Sequence, residues 1–574
     1  MIENGGDPRH DRRGVQESLR AAELIGALSL ATDLGVGEPL EHGLRTTVIG
    51  VRLAESLGLD EEAQREVYYV ALLRYAGCTA ESHLDAALFG DEIAVRAAMA
   101  PVLYGSRAEL FLAIARTMRA GEPARWRAVA VARALVRLQD AFRKGTAGHC
   151  EMTQVYALRL GLGAKIQAAL GDVFERWDGK GFPIGHRGDE VPLPVRIMQV
   201  AEDADLQHGL GGVKRAVSVV RRRAGASLDP ALAEELCRAA PELLHGLDGP
   251  GIWDVTMAAE PGRPTILEGD LVDEGLQVFG DFSDLTIPYT LGHSAAVADL
   301  AAAAGEHMGL AVAECVALRR VGFVHNVGRV AVTASIWNKP GPLSRDEQEK
   351  ARLHPYYAER VLQQPELLRS LGQIAGRHQE RLDGSGYPRG ASAGDLSVSD
   401  RIFAAADAYR AMIEPRPHRP AHAPAAAAEL LRGEVGAGRL DATAVAAVLE
   451  AAGQEAGRLS APRPGGLTDR EAEVLGLLAG GMMTKQIAHR LGISPKTADQ
   501  HIQNIYAKIG VSTRAGATLF AARNGLAGAE PAQAVYGELR IAAPAAAAYR
   551  RFRRQANGGG CGKRQGGHQP RDGT

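Results

Sequence analysis

Five short stretches decide how this chain is read: GHSAAVADLA (292–301), VGFVHNVGRVAV (321–332), RLHPYYAERVL (352–362), HQERLDGSGYPRG (378–390) and RIFAAADAYRAM (401–412). Each sets one metal-ligand side chain, in order His293, His325, His354, His378 and Asp407, into a run of apolar or small residues with helical character. Imidazole nitrogens with a carboxylate form a donor set suited to a divalent metal. Within the fourth stretch, Gly384 and Gly386 permit a tight turn that side chains would block.

Composition bounds the rest. A chain of 574 residues, 46% hydrophobic but only 5% aromatic, implies roughly three or four domains with alanine-rich helical cores. A net charge of -2 excludes a polycation, so any nucleic-acid surface has to be local. The five cysteines (Cys78, Cys150, Cys237, Cys315, Cys561) show no CxxC pairing, which argues against a disulfide framework or a zinc ribbon. MIENGGDPRHDRRG lacks the apolar core of a signal peptide, and Asp299, Glu306 and Glu314 interrupt the most apolar helical run. The expectation is a cytoplasmic protein with no membrane partner.

Comparing the two halves exposes an internal repeat. His42 and Arg74 are 32 positions apart, as are His293 and His325; His149 and Asp178 are 29 apart, as are His354 and Asp383. In the first copy Arg74-Tyr75 stands for His325-Asn326, Val173-Phe174 for His378-Gln379, and Glu202 for Asp407. Only His42 and His149 remain there, a set that seldom holds two metals. This copy also carries about 46 extra residues before His149, including RWRAVAVARALVRLQDAFRK, an amphipathic helix with a basic face.

The string HQERLDGSGYP resembles the signature of the HD-GYP phosphohydrolases, a branch of the all-helical HD superfamily. That resemblance implies hydrolysis of cyclic di-GMP on a centre of two or three irons where the site is intact. It also implies that His293, His325, His354, His378 and Asp407 are metal ligands and that Arg329 stands where a lysine helps hold the phosphate. Two positions depart from the family pattern. Its His-Asp pair reads His325-Asn326 and its His-His pair reads His378-Gln379, while a glutamate that some members place one helical turn before the first histidine is here Tyr289. An amide oxygen neither bridges two cations nor offsets their charge as a carboxylate does. Three readings stand: satisfied core histidines, a divalent metal (Fe or Mn) bound at a partial site without turnover, or slow phosphodiesterase activity.

Further on, LTDREAEVLGLLAGGMMTKQIAHRLGISPKTADQHIQNIYAKIGVSTRAGATLFAARNGL (467–526) carries a second set of signals. Thr468 with Glu471 forms a capping box, Gly492-Ile493-Ser494 a short turn, Ser494-Pro495 a helix start, and Gly510 a stop. A second helix from Thr484 to about Leu491 and a fourth from 513 to 524 complete the unit. Ala498, Ile502, Ile505 and Ile509 share an inward stripe, and Lys496, Thr497, Asp499, Gln500 and Gln503 lie away from it. With seven Lys/Arg against four acids, the unit is locally basic. It resembles the LuxR-type helix-turn-helix, which implies double-stranded DNA as partner and Lys496, Thr497, Gln500, Gln503 and Lys508 as contacts. Asp499 sits where that family commonly has a basic residue.

The sequence thus predicts an all-α protein: two tandem HD-GYP-like helical domains followed by a four-helix LuxR-type domain. The expected limits are a disordered N-terminus (1–17), a degenerate first copy (18–243), a connector (244–288), a second copy with a partial metal site (289–455), a linker (456–466), the DNA-binding domain (467–526) and a disordered basic tail (527–574). The expected function is a transcriptional regulator, a homodimer on DNA, whose upstream copies sense a cyclic dinucleotide, another small ligand or a partner. The alternative is a metal-dependent cyclic dinucleotide phosphodiesterase localised by its DNA-binding domain.

Overall fold

The two copies open alike. In the first, helix Ala21–Val36 stops at Gly37 in the left-handed region (φ 71°), and His42 is the first residue of a 15-residue helix, His42–Ser56. The second copy sets a matching helix pair, Asp270–Asp284, which ends at Leu285 in the right-handed region, and the 15-residue His293–His307. The next helices, Glu61–Leu73 and Val312–Val324, are both 13 residues long and end one residue before Arg74 and His325. The computed structural model describes residues 18–118, 124–247, 249, 251–457 and 464–526. Among these it is helical apart from one two-stranded antiparallel ribbon, Ser18–Arg20 against Ile266–Glu268. The expected disordered termini (1–17 and 527–574) and most of the 456–466 linker lie outside the described residues.

The stretch read as a connector is folded. Its glycines serve turns, with Gly246, Gly251, Gly262 and Gly269 all at positive φ. Between those turns sit helix Ile252–Ala258, the second strand of the ribbon, and Asp270–Asp284. Val272, Leu276, Phe279 and Phe282 are fully buried at helical spacing, so this last helix is the opening helix of the second copy. Turn residues, being conspicuous, masked an amphipathic pattern.

One hydrophobic core runs through both copies. Helix Ala21–Val36 packs on the turn Val327–Ala331 just beyond His325, and the extra residues of the first copy add helices Ser82–Phe89, Glu92–Met99 and Arg107–Thr117. Their small core of Phe89, Val95, Met99, Ile114 and Met118 lies beside the long helix Ala124–Arg159, which contains the expected basic helix. Most side chains of that basic face are outside the described residues. Glu92 reaches across to the second copy, where it accepts from the Thr333 hydroxyl and, at 2.7 Å, from the backbone N–H of Ala334.

The C-terminal helices form a separate compact unit. Asp469–Ala479, Thr484–Arg490, Pro495–Ile509 and Arg514–Arg523 follow the expected order. Ser494 caps the third, accepting from Thr497 N at 3.0 Å, and Gly510 ends it at φ 68°. Ala498, Ile502 and Ile505 are buried; Ile509, at the end of the stripe, is half-buried.

Where helices Val312–Val324 and His293–His307 cross, a Cβ on Gly322 would lie 2.3 Å from the Cα of Ala298. That close approach brings the His293 and His325 rings to 5.6 Å between centroids. Gly322→Ala is expected to destabilise the fold by about 1–3 kcal/mol through overpacking. Urea unfolding monitored by circular dichroism checks this, and an unchanged midpoint would refute the crossing.

Candidate functional site

His325, His354 and His378 share one local device. Each follows or opens a helix so that its Nδ1 lies 2.6–2.8 Å from the carbonyl three residues earlier: Gly322, Ala351 and Ala375 respectively. A carbonyl only accepts, so each Nδ1 carries the ring proton and each neutral ring presents a bare Nε2. Neutrality follows from burial: all three pKa values are lowered by desolvation, that of His378 to about 3 and that of His354 well below the usual histidine range. The Nε2 atoms of His354 and His378 face one another at 3.1 Å with no proton to share, and among the described residues His325 Nε2 has no hydrogen-bond partner. Converging lone pairs repel unless a cation lies between them. This is a donor set that fits a divalent metal, with carbonyls fixing the tautomers as they commonly do for ligating histidines.

Asp407, on helix Val398–Ile413, supplies the carboxylate. Its Oδ1 is 3.2 Å from His293 Nε2 and 3.5 Å from His325 Nε2, and ligand atoms of these three residues lie within 4.8 Å of one another. Burial opposes ionisation of Asp407, but the hydrogen bond from His293 and the surrounding imidazoles hold its pKa well below the usual carboxylate range. His293 behaves differently from the other three. Burial would lower its pKa, yet Asp407 on one nitrogen and Glu414 on the other (2.8 Å) raise it. The structure therefore brings all five sequence-derived ligands to one buried place, with the His325 and His378 rings 5.2 Å apart linking the two groups.

The two departures are also there. Asn326 is fully buried, and among the described residues neither its Oδ1 nor its Nδ2 has a hydrogen-bond partner. Gln379 donates to Asp407 Oδ2 at 2.9 Å and accepts from the Tyr387 hydroxyl at 3.3 Å, so an amide occupies one face of the carboxylate. Arg329 lies over the Trp337 ring (5.2 Å), and among the described residues its Nε has no hydrogen-bond partner. Burial, together with the charge of Arg329, lowers the pKa of Arg416, which pairs with Glu414 at 3.2 Å. Glu414 and Arg416 were missed in the sequence because they follow the last helical ligand in a loop without a motif.

In the first copy Arg74 replaces the second histidine and enters the site itself. Its guanidinium is buried in an ion pair with Glu202, which also accepts from the Tyr75 and Tyr104 hydroxyls at 2.7 and 2.5 Å. His42 lies between Asp205 (2.6 Å) and Glu38 (3.2 Å), and ligand atoms of Glu38, His42 and Glu202 form a second close cluster. Glu38 also escaped the sequence reading, although it precedes His42 by the four residues that separate Tyr289 from His293. His149 is not in that cluster: its Nε2 meets the carbonyl of Arg74 at 2.6 Å, and burial lowers its pKa to about 4.

In the C-terminal unit, Lys496, Thr497, Asp499, Gln500 and Gln503 are exposed on one side of helix Pro495–Ile509. The Thr497 hydroxyl lies 2.8 Å from that of Ser494, and Gln500 donates to Asn504 at 3.0 Å. Lys508 stands apart from the other expected contacts, because its ammonium pairs with the buried Glu471 at 2.6 Å.

Comparison with known proteins agrees with this architecture. The HD domain model matches residues 129–232 and 278–444, and the model for bacterial regulatory proteins of the luxR family matches 466–521. The chain is 27% identical to 3'3'-cGAMP-specific phosphodiesterase 3 of Vibrio cholerae, covering 71% of this chain and 89% of that protein. It is 30% identical to the cyclic di-GMP phosphodiesterase of Thermotoga maritima over 26% of this chain and 41% of that one. A crystal structure of a cyclic GMP-AMP-specific phosphodiesterase from V. cholerae superposes with a TM-score of 0.53 at 24% identity, covering 76% of this chain and 98% of that one. Among the described residues no helix is long and apolar enough to cross a membrane. With the paired helical copies and these matches in agreement, the chain carries an HD domain over residues 129–232 and 278–444 and, at 466–521, a bacterial regulatory domain of the luxR family.

Proposed function

We infer that the protein is a DNA-binding transcriptional regulator whose HD-type pair works as a sensory module, with hydrolysis of cyclic dinucleotides weak or absent. The observation that carries this reading is Asn326. A divalent metal pair, when bound, supplies polarisation of a phosphodiester and a water acidified towards a pKa of ~7. His325, His354, His378 and Asp407 can hold a cation, and Arg329 with Arg416 can attract the phosphate. Asn326, at the position of the family's bridging carboxylate, offers one neutral oxygen, and Gln379 offers an amide where the family has an imidazole.

The second reading is a phosphodiesterase localised by its DNA-binding unit. Its support is the convergence of bare imidazole nitrogens on Asp407 and the similarity to a 3'3'-cGAMP-specific enzyme over most of that enzyme's length. Chromatography of cyclic di-GMP and 3'3'-cGAMP incubated with the full chain and manganese or iron(II) separates the two. Little or no linear product is expected, and robust metal-dependent turnover would overturn the first reading. Asn326→Asp combined with Gln379→His is expected to raise bound iron or manganese in elemental analysis of the purified protein. No gain in metal would show that the pocket cannot be rebuilt from these two positions.

On DNA, Gln500 and Gln503 can pair with adenine edges and Lys496 with phosphate or guanine. One small unit with Asp499 facing phosphate binds weakly, so two copies are required, with helix Arg514–Arg523 as the dimer contact and half-sites roughly one helical turn apart. Gln500→Ala is expected to relax preference at one base pair by about 1–3 kcal/mol, and Asp499→Lys to tighten binding to all sequences and steepen its salt dependence. Titration of a labelled operator at two salt concentrations measures both. An unchanged salt slope in Asp499→Lys would remove this helix from the groove.

A further inference from the structure

The first copy holds a cavity of about 1360 Å³ next to its Arg74–Glu202 pair. That is larger than the ~300–1,000 Å³ of ordinary small-molecule sites. Its walls are aromatic: Tyr75, Tyr104, Phe142, Phe174 and Phe182 line it, and the Phe142 and Phe182 rings lie within 16° of parallel, 6.4 Å apart. Such walls accept a flat ring by stacking.

The polar groups along the same cavity narrow the chemistry. Glu38 is buried to 8% exposure and lines the cavity; among the described residues its Oε2 makes no hydrogen bond, with His42 Nε2 3.2 Å away and the Tyr75 hydroxyl beside the carboxylate. A carboxylate only accepts, so it calls for an N–H donor edge, and among nucleobases guanine offers two adjacent donors on one edge. Elsewhere on the wall, Arg176 and Lys180 share the single carboxylate of Asp178 at 3.1 Å each, and the exposed Arg222 adds another cation. With Glu109 close to Arg222 the wall is balanced in charge, and Arg176, Lys180 and Arg222 are the side chains on it that can donate to a phosphate.

We propose that this cavity binds a guanine nucleotide and that its occupancy is transmitted to the second copy through Glu92. This rests on the reading of the HD-type pair as a sensory module. Val95, Arg96 and Met99 line the cavity from helix Glu92–Met99, and Glu92 at the start of that helix is the acceptor for Thr333 and Ala334 of the second copy. The short helix Ala334–Trp337 that begins there ends in Trp337, whose indole N–H donates to the Arg329 carbonyl at 3.3 Å and whose ring meets His354 edge-on at 5.5 Å. A packed route therefore joins the cavity to the histidine cluster.

Calorimetric titration of the full chain with GMP, AMP and guanosine tests the site. One GMP per chain is expected, with AMP and guanosine each at least tenfold weaker. Gly145 lines the cavity and has open space where a side chain would begin, so Gly145→Trp fills it; the expected loss is tenfold or more, with Phe182→Ala as a second variant should the first lower the melting temperature. His378→Ala should leave GMP binding intact. Absence of GMP binding to the wild type, equal binding in both cavity variants, or loss of binding in His378→Ala would overturn the site. Hydrogen exchange reads the transmission: GMP is expected to slow exchange at residues 333–337 in the wild type and not in Glu92→Ala, and no change in the wild type would overturn it. Operator binding by Gly145→Trp, measured alongside, separates the outcomes, since a failed cavity leaves DNA binding intact whereas a failed regulator reading shows as absent DNA binding in the wild type.

Discussion

A buried carboxylate must be matched by positive charge, and the two copies of this fold meet that constraint in opposite ways. In the first, Glu202 is neutralised by Arg74, a cation built into the chain, and its remaining lone pairs are taken up by two tyrosine hydroxyls. Guanidinium suits such a place because it stays charged when buried and can spread several hydrogen bonds. In the second, Asp407 is met only in part by His293, and three neutral imidazoles turn their lone pairs inward. The first copy is closed electrostatically, while the second is poised for a cation from outside. Once Arg74 fills the ligand position, the space beside it is released from metal chemistry, and the large aromatic cavity lies there.

Much of this was legible in the sequence. The spacings that equated His42 with His293 and Arg74 with His325 reappear as helices of equal length, because a repeat that conserves spacing conserves helical phase. The helix-turn-helix was readable down to its capping serine and its terminal glycine, since cap chemistry is local. The illegible parts depend on distant groups. Nothing near Lys508 in the chain announces that Glu471 neutralises it, and nothing in the loop after Ile413 marks Glu414 as the second acceptor of His293. Likewise the opening helix of the second copy hid behind the glycines on either side of it, and Glu38 became meaningful only when Glu202 and Arg74 were seen beside it.

Asn326 shows how a small chemical change can leave packing untouched while altering what a pocket does. Asparagine and aspartate are nearly isosteric, so the helix end and the neighbouring histidines need not move. The cost is local: two buried polar atoms go without partners among the described residues, a situation that costs roughly 1–3 kcal/mol per group in a finished fold. That such a residue directly follows His325 in the chain, rather than lying in an inert corner, marks the place as one shaped by something other than stability.

The ribbon between Ser18–Arg20 and Ile266–Glu268 has a consequence for the chain as an object. It fastens the start of the first copy to the start of the second, with Arg20 bonded onward to Glu260 and to the Met257 carbonyl, so the polypeptide between them closes into a ring secured by non-covalent stitches. A single proteolytic cut within that ring would leave both pieces held together, and neither half could be excised as a clean module without exposing Leu19 and Leu267 at the torn seam. In structural terms the duplication has been welded: the copies differ in chemistry, as Arg74 and His325 do, while the ribbon keeps them one body.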